Sequence, residues 1–244
     1  MSAIALYARP SAQFDQRVAH AAALLQSAAA AHGTAIVQAT SLGAEDMVLT
    51  DLVARLQLPV ALATLDTGKL HAQTLALIPR IEARYGLRVE RHAPVAEQVL
   101  HFVREHGEEP MRRSIELRKA CCDLRKMQPL ARMLATRSAW VTGLRREQST
   151  QRGAVTFSEL GENGKTKLNP LADWSWADVW HYIATRDVPH NELHDQFFPS
   201  IGCTPCTRAI AVGEDFRAGR WWWESDAAKE CGLHVAKINE ESAA

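Results

Sequence analysis

Five cysteines are the residues of this 244-residue chain whose type and spacing most clearly suit chemistry. Cys121 and Cys122 are adjacent, Cys203 and Cys206 form a Cys-x-x-Cys, and Cys231 lies near the C-terminus. Four thiolates are what a tetrahedral zinc ion or a cubane [4Fe–4S] cluster requires. Neighbouring side chains on a helix diverge by about 100°, so an adjacent pair reaches one small ion poorly but can bind different irons of a cubane. The pattern therefore favours [4Fe–4S] over zinc; buried thiols, a thioredoxin-type Cys-x-x-Cys and a vicinal disulfide are the alternatives.

The fifth cysteine lies in the pentapeptide Glu230-Cys231-Gly232-Leu233-His234 and is left over once the other four are assigned as ligands. A thiol beside a glycine can move, and a neighbouring histidine can lower the thiol pKa or aid proton transfer. This indicates a reactive cysteine. An exposed tail cysteine without a role is the alternative that the pentapeptide alone leaves open.

A candidate phosphate loop follows the apolar run at 35–39. Ser41 offers a hydroxyl, Gly43 allows close approach of the backbone, and the N–H groups at the start of the next helix suit an anion. The loop lacks the Gly-Lys-Ser/Thr of a Walker motif, and an ordinary turn between a strand and a helix is the alternative. Glu45 and Asp46 place negative charge beside the loop, which should repel a second phosphate.

Further polar side chains follow other predicted strands or lie near the C-terminus. Asp66 suits a ribose or a metal, with a helix N-cap as the alternative. Arg145 and Arg146 end a buried strand, where two guanidiniums suit a phosphate, with a solvated loop as the alternative. Arg217 and Arg220 are three positions apart and suit a dianion, while the three tryptophans that follow them are interpreted as packing.

Strand-like apolar runs alternate with helical patterns, which predicts an α/β fold: a parallel sheet flanked by helices on both faces. Ligands bind at the carboxyl ends of such strands, so we expect the turns 40–43, 66–68 and 143–149 to line one mouth. A hairpin is expected around 161–164, and Ser175 or Asp173 should cap the last helix. The predicted strands are 35–39, 59–65, 87–91 and 139–142, and the predicted helices are 19–31, 45–56, 70–85, 94–104, 114–135 and 174–186. We expect one domain over 1–200, followed by a functional C-terminal segment over 201–244.

Composition narrows the class of protein. Hydrophobic residues make up 47% and charged residues 23%, which suits a full core, and Lys+Arg and Asp+Glu both number 28. This balance argues against binding to nucleic acid or to a membrane surface. No apolar run reaches the roughly 18 residues of a membrane span, and no export signal is visible, so we expect a reducing cytoplasm. There cysteines serve as metal ligands or catalysts more often than as disulfides.

Taken together, these segments resemble the assimilatory adenosine 5'-phosphosulfate (APS) reductases, the cluster-containing branch of the APS/PAPS reductase family. The resemblance runs from about 35 to 234, and its most specific parts are 121–126 (CCDLRK), 202–208 (GCTPCTR) and 230–234 (ECGLH). It implies an adenine-nucleotide alpha-hydrolase-like fold with its phosphate loop at 41–46. Leu42 stands where the family commonly has Phe.

The resemblance also implies the roles of the candidate residues. Four cysteines would hold [4Fe–4S], and Cys231 would attack the sulfur of APS, with thioredoxin as the electron donor. Lys126, Arg217 and Arg220 would face the sulfate and phosphate. The Arg145–Arg146 loop would contact the nucleotide, and the remaining substrate-binding candidates are Ser41, Gly43, Asp66 and His234. Lys126 lies four positions after Cys122, so we expect it one helical turn away, where the cluster would tune its surroundings.

Several alternatives remain open at this point. PAPS reductases resemble the chain in the phosphate loop and the tail but typically lack the two cluster motifs, so APS is the expected substrate and PAPS the alternative. A nucleotide-adenylating synthetase of the same broad fold is disfavoured because the loop lacks paired glycines. A structural zinc or nucleotide-binding protein is the non-enzymatic alternative. The sequence leaves the oligomeric state open, a homo-oligomer included.

Overall fold

A six-stranded sheet organises the computed structural model of the chain, which describes residues 2–161 and 164–225. The strands follow the order β3-β2-β1-β4-β6-β5, and all are parallel except β5, which pairs antiparallel with β6. Their bounds are β1 Ile36–Thr40, β2 Ala61–Leu65, β3 Val89–His92, β4 Ala139–Val141, β5 Ser158–Leu160 and β6 Thr166–Leu168. From β1 the chain builds outward through β2 and β3, then returns to place β4 on the other side of β1. The carboxyl ends of β1 and β4 therefore frame a topological switch point, where such sheets bind ligands.

Helices cover both faces of the sheet, as the alternating pattern predicts. Ile36, Leu62 and Leu168 face the larger core with α2, α3, α4 and α8, while Val37 and Trp140 face the smaller core with α7. Successive strand residues point to opposite faces, so both faces are apolar. The helices are α1 Ala3–Tyr7, α2 Phe14–His32, α3 Ala44–Arg55, α4 Ala72–Tyr85, α5 Ala96–His106, α6 Ile115–Cys122, α7 Gln128–Leu134 and α8 Trp176–Arg186.

The predicted helix over 114–135 is wrong in its middle. A π-helical turn, Asp123–Met127, separates α6 from α7, and Gln128 N–H donates to the carbonyl of Asp123, five positions back. Pro129 explains the break, because proline has no N–H and its ring clashes with the carbonyl four positions earlier in an α-helix. Lys126 is consequently not one α-helical turn from Cys122.

Smaller features follow the local chemistry. Gly86 ends α4 in the left-handed conformation at φ 64°, as predicted. That helix begins at Ala72 rather than at 70, because Leu70 forms an antiparallel bridge with Cys203. Gly161 N–H donates to Lys165 O at 2.9 Å in the expected hairpin. Ser175 is the cap of α8. In the part of the chain that the structure describes, no helix is long and apolar enough to cross a membrane.

Candidate active site

A cavity of about 210 Å³ opens at the carboxyl ends of β1, β2 and β4, where the switch point predicts a ligand. The turn after each of these strands contributes to its wall, and all three predicted turns are therefore represented. The residues that these strands and turns place in the wall include Thr40, Ser41, Gly43, Thr64, Thr67, Thr142, Gly143 and Leu144.

The candidate phosphate loop enters the cavity, but its own helix occupies some of its donors. The N–H and hydroxyl of Ser41 both donate to Asp46 Oδ2 at 2.6 Å, and Gly143 N–H donates to the same carboxyl. Burial raises the pKa of Asp46 to about 6, although the bonds from Ser41 oppose this shift. Asp46 thus joins the turn after β1 to the turn after β4.

Four cations line the cavity. Lys126, Arg217 and Arg220 are brought together as the resemblance implies, and Arg152 joins them. Arg220 is buried, lies 4.7 Å from the ring centre of Trp221, and donates to Ile201 O at 3.3 Å. This concentration of positive charge suits a ligand with more than one anionic group.

Arg152 is a site residue that the sequence reasoning missed. It is 8% exposed and donates from Nη1 to Gln148 Oε1 at 2.6 Å. It lies six positions beyond Arg146, past the end of the predicted loop, and the only signal was a third arginine in an already basic segment.

Three predicted substrate-binding side chains take other partners and are not among the described residues that line the cavity. Asp66 pairs with Arg91 and accepts from Gly68 N–H at 3.1 Å, so it closes its own turn instead of capping a helix. Arg145 is buried against Glu45 at 3.0 Å. Arg146 donates to Val155 O at 2.8 Å and packs on a phenylalanine ring. The loop after β4 reaches the cavity, but not through this arginine pair.

The four described cysteines line a second, smaller cavity. Cys121 and Cys122 reach it from the end of α6, and Cys203 and Cys206 from the 3₁₀ turn Thr204–Cys206 and the residue before it. No disulfide joins these four. Basic side chains share the wall: Lys69, Arg118, Arg125 and Lys126.

Neighbouring groups fix the cysteine segment to the sheet. The hydroxyl of Thr67, just after β2, lies 3.2 Å from Cys203 Sγ. Arg125 donates to Thr67 O at 2.7 Å and also bonds the thiol of Cys121. Burial raises the pKa of Cys206 to about 11, and Lys126 opposes that rise. Burial therefore disfavours the thiolate forms of Cys121 and Cys206.

The donor set supplies four sulfur atoms, the number of protein ligands that a cubane cluster uses. Within residues 2–161 and 164–225, no three His, Cys, Asp or Glu side chains converge closely enough to hold a metal ion. The four sulfurs instead border one cavity from two segments, with cations around it that can balance the negative charge of a thiolate-bound cluster. Lys126 and Trp221 belong to the walls of both cavities.

Comparison with known proteins assigns the family. The profile of the phosphoadenosine phosphosulfate reductase domain matches residues 35–209, more than half of the chain. The chain belongs to the APS/PAPS reductase family. As a member of it, the chain is an oxidoreductase acting on a sulfur group, which confirms the family and enzyme class predicted from the sequence.

This APS/PAPS reductase family member matches its relatives over most of their length. The chain is 55% identical over 200 residues to adenosine 5'-phosphosulfate reductase of Allochromatium vinosum, covering 82% of this chain and 78% of that protein. It is 53% identical to the protein of the same name from Burkholderia cepacia, with coverages of 82% and 80%.

Solved structures confirm the predicted fold. The crystal structure of a PAPS reductase from Candida auris superposes with TM-score 0.64 at 26% identity, covering 81% of this chain and 98% of that one. An FMN adenylyltransferase of Candida glabrata superposes with TM-score 0.56 at 15% identity, covering 87% and 74%, and shows a shared fold alone. Cys231 and His234, the two predicted site residues of the tail, lie outside the described residues.

Proposed function

We propose that the chain reduces APS to sulfite and AMP in sulfate assimilation, with thioredoxin as electron donor and a Cys231 S-sulfonate as intermediate. The observation that carries the proposal is the cavity at the switch point, lined by Lys126, Arg152, Arg217 and Arg220. A nucleotide with a phosphate–sulfate anhydride presents adjacent anionic groups that such a set of cations suits. The relatives from two bacteria are named for this substrate.

The chemistry balances with thiols alone. The Cys231 thiolate attacks the sulfur of APS, an S–S bond forms, the S–O bond to phosphate breaks, and AMP leaves with the electron pair. A thiolate of thioredoxin then attacks the Cys231 sulfur, and sulfite leaves with the electrons of the S–S bond. The second thiol of thioredoxin resolves the mixed disulfide, so the dithiol supplies the two electrons.

The cations of the cavity serve the first step. An anionic nucleophile approaching an anionic substrate needs positive charge, and the leaving phosphate gains charge in the transition state. Lys126, Arg217 and Arg220 are proposed to bind the sulfate and phosphate, and Arg152 to join them at the phosphate. Ser41 and Gly43 form the loop against which the nucleotide would bind.

We further propose that Cys121, Cys122, Cys203 and Cys206 hold [4Fe–4S]. Bound there, the cluster would join the cysteine segment to α6 and influence the electrostatics at Lys126, which borders both cavities. No electrons are required from it, because the thiol steps above already balance. We also propose that 1–200 form the nucleotide-binding domain, that 201–244 carry the Cys-x-x-Cys, the Arg/Trp stretch and the catalytic cysteine, and that the enzyme works in a reducing cytoplasm.

Glu45 and Asp46 support APS over PAPS. Both line the nucleotide cavity, and negative charge there disfavours an additional 3'-phosphate. The guanidinium of Arg145 compensates part of this charge by bonding Glu45 Oε1 at 3.0 Å, and the Gln148 amide donates to the same oxygen at 2.9 Å. The electrostatic argument is therefore carried chiefly by Asp46.

The decisive experiment is sulfite release with thioredoxin, comparing APS and PAPS at low concentration in the wild type and in Cys231→Ser. The wild type should prefer APS, and the variant should lose turnover while retaining AMP binding and iron. Full activity of Cys231→Ser, or sulfonate trapped on a different residue, would overturn the mechanism. A preference for PAPS would show that PAPS is the substrate and would leave the proposed thiol chemistry unchanged.

A further inference from the structure

A buried histidine holds the start of α3 from outside the loop. His194 lies in the 3₁₀ segment Glu192–Gln196, borders the nucleotide cavity, and is 5% exposed. Its Nε2 accepts a hydrogen bond from Ala44 N–H at 3.2 Å. Its Nδ1 lies 2.8 Å from Phe198 O, which can only accept, so the ring is neutral with its proton on Nδ1. Burial lowers the pKa of His194 to about 4, which keeps this form at neutral pH.

The ring has little freedom to leave this position. Trp176 and Trp180 pack against it edge-on, with ring centres at 5.8 and 5.3 Å. The segment is itself anchored, because Asn191 caps it by accepting from Leu193 N–H at 3.1 Å and donates to Thr74 at 2.9 Å. The position of the Nε2 acceptor is therefore set by the fold and not by the loop that it contacts.

The loop needs an external acceptor. The first N–H groups of a helix have no partner inside the helix, and a capping side chain usually supplies one. The N-cap of α3 is Gly43, which has no side chain, and Leu42 before it adopts the left-handed conformation at φ 63°. His194 supplies from 150 positions away what the cap lacks.

We propose that His194 is a positioning residue for nucleotide binding: by accepting from Ala44, it holds the 41–44 loop in the conformation that binds the phosphate side of the ligand. The inference rests on the proposed nucleotide site and deepens it. The same ring bonds Phe198, and the chain continues from there through residues 199–202, which also line the cavity, to Cys203. His194 thus connects the start of α3 to the segment that leads into 199–202.

Two substitutions separate the bonds of the ring. His194→Gln places an amide near the Nε2 position, so it can still accept from Ala44, whereas His194→Asn reaches only the Nδ1 position and leaves the Ala44 N–H without its acceptor. Tyr182→Phe is the matched control. It removes a buried hydrogen bond of 2.8 Å from the Tyr182 hydroxyl to Asp51, which lies on α3 beyond its first two turns and away from the loop.

The measurement is the dissociation constant of AMP for the full-length chain by calorimetry, with sulfite release and urea unfolding measured on the same samples. His194→Asn should weaken AMP binding by roughly tenfold and raise KM for APS, with kcat changed much less. His194→Gln should stay within about threefold of the wild type. Tyr182→Phe should lower the free energy of unfolding without changing AMP binding.

Every other outcome would contradict the inference. Equal AMP binding by the wild type and His194→Asn would overturn the role of His194 and leave the cavity standing. Equal losses of AMP binding in the Asn and Gln variants would show that the packing of the ring matters and its hydrogen bond does not. An equal loss in Tyr182→Phe would indicate general destabilisation. Both results would overturn the inference. If the wild type fails to bind AMP, the proposed nucleotide site fails, and this role fails with it.

Discussion

Arg145 and Glu45, 100 positions apart in the chain, form an ion pair of 3.0 Å between the turn after β4 and the first turn of α3. The guanidinium also bonds Glu147 at 2.6 Å and the carbonyl of Trp174 at 3.2 Å. Its side chain is 1% exposed and that of Glu45 is 11% exposed. The arginine that the sequence offers as an anion ligand therefore joins the two sides of the switch point.

Arg145→Gln should lower the free energy of unfolding by about 3 kcal/mol or more, because it leaves the Glu45 carboxylate buried without its cation. Urea unfolding measures this. Arg146→Gln is the control in the same loop and should cost less, since that guanidinium bonds a carbonyl instead of a buried carboxylate. If Glu45→Gln added to Arg145→Gln recovers none of the loss, the pair is not the cause.

Gly143→Ala should weaken AMP binding and destabilise the fold. A Cβ on Gly143 would lie 2.6 Å from Asp46 Oδ1 and 2.8 Å from Glu45 Cβ, so the turn after β4 would move away from α3. Gly153→Ala is the matched control, because its nearest neighbour is at 3.4 Å and its φ is −55°. Calorimetry with AMP and thermal unfolding compare the two; similar behaviour of both variants would contradict the close approach.

Stability should depend on pH through Asp46. Its pKa is about 6 in the folded chain against 3.8 ordinarily, so its favourable contribution is complete below pH 4 and is lost as pH rises through 6. Asp46→Asn does not titrate. Relative to the wild type, this variant should gain about 2.5 kcal/mol of unfolding free energy between pH 4 and pH 8. Urea unfolding at several pH values tests this, and a difference independent of pH would show that the carboxyl titrates normally.

Metal analysis tests the proposed cluster. Anaerobically purified protein should be brown and carry about four irons per chain, because a cubane contains four. Colourless protein with stoichiometric zinc would instead support a structural zinc site.

Lys126→Gln should retain this iron and lower kcat/KM for APS by roughly 100-fold, since the lysine borders both cavities and would stabilise developing charge. Lys126→Arg keeps the positive charge and should lose less. Iron loss in Lys126→Gln would assign the lysine to cluster retention, and an unchanged kcat/KM would remove it from the substrate site.

The repeating patterns of the sequence predicted a parallel sheet, four of its six strands and the helices between them, because apolar periodicity reports which faces are buried. Gly86 predicted the end of α4 and Ser175 the cap of α8, because these preferences depend only on residues nearby in the sequence. The roles of Arg145 and His194 were not predictable in this way. Each is decided by a partner at least 100 positions distant, and nothing near Arg145 in sequence distinguishes a buried ion pair from a ligand contact. The π-helical turn depends on how Pro129 is accommodated, which periodicity does not reveal.

That π-helical turn sets the direction in which the side chains of α7 point relative to those of α6. Because this turn holds one residue more than an α-helical turn, the side chains of α7 point about 100° away from where an uninterrupted α-helix of the same sequence would place them. A chain that lost one residue within 123–127 could form a regular α-helical turn there and keep the direction of the side chains that follow. A one-residue gap in an alignment with an uninterrupted helix therefore belongs within 123–127, because a gap placed elsewhere in this segment would equate side chains that point in different directions.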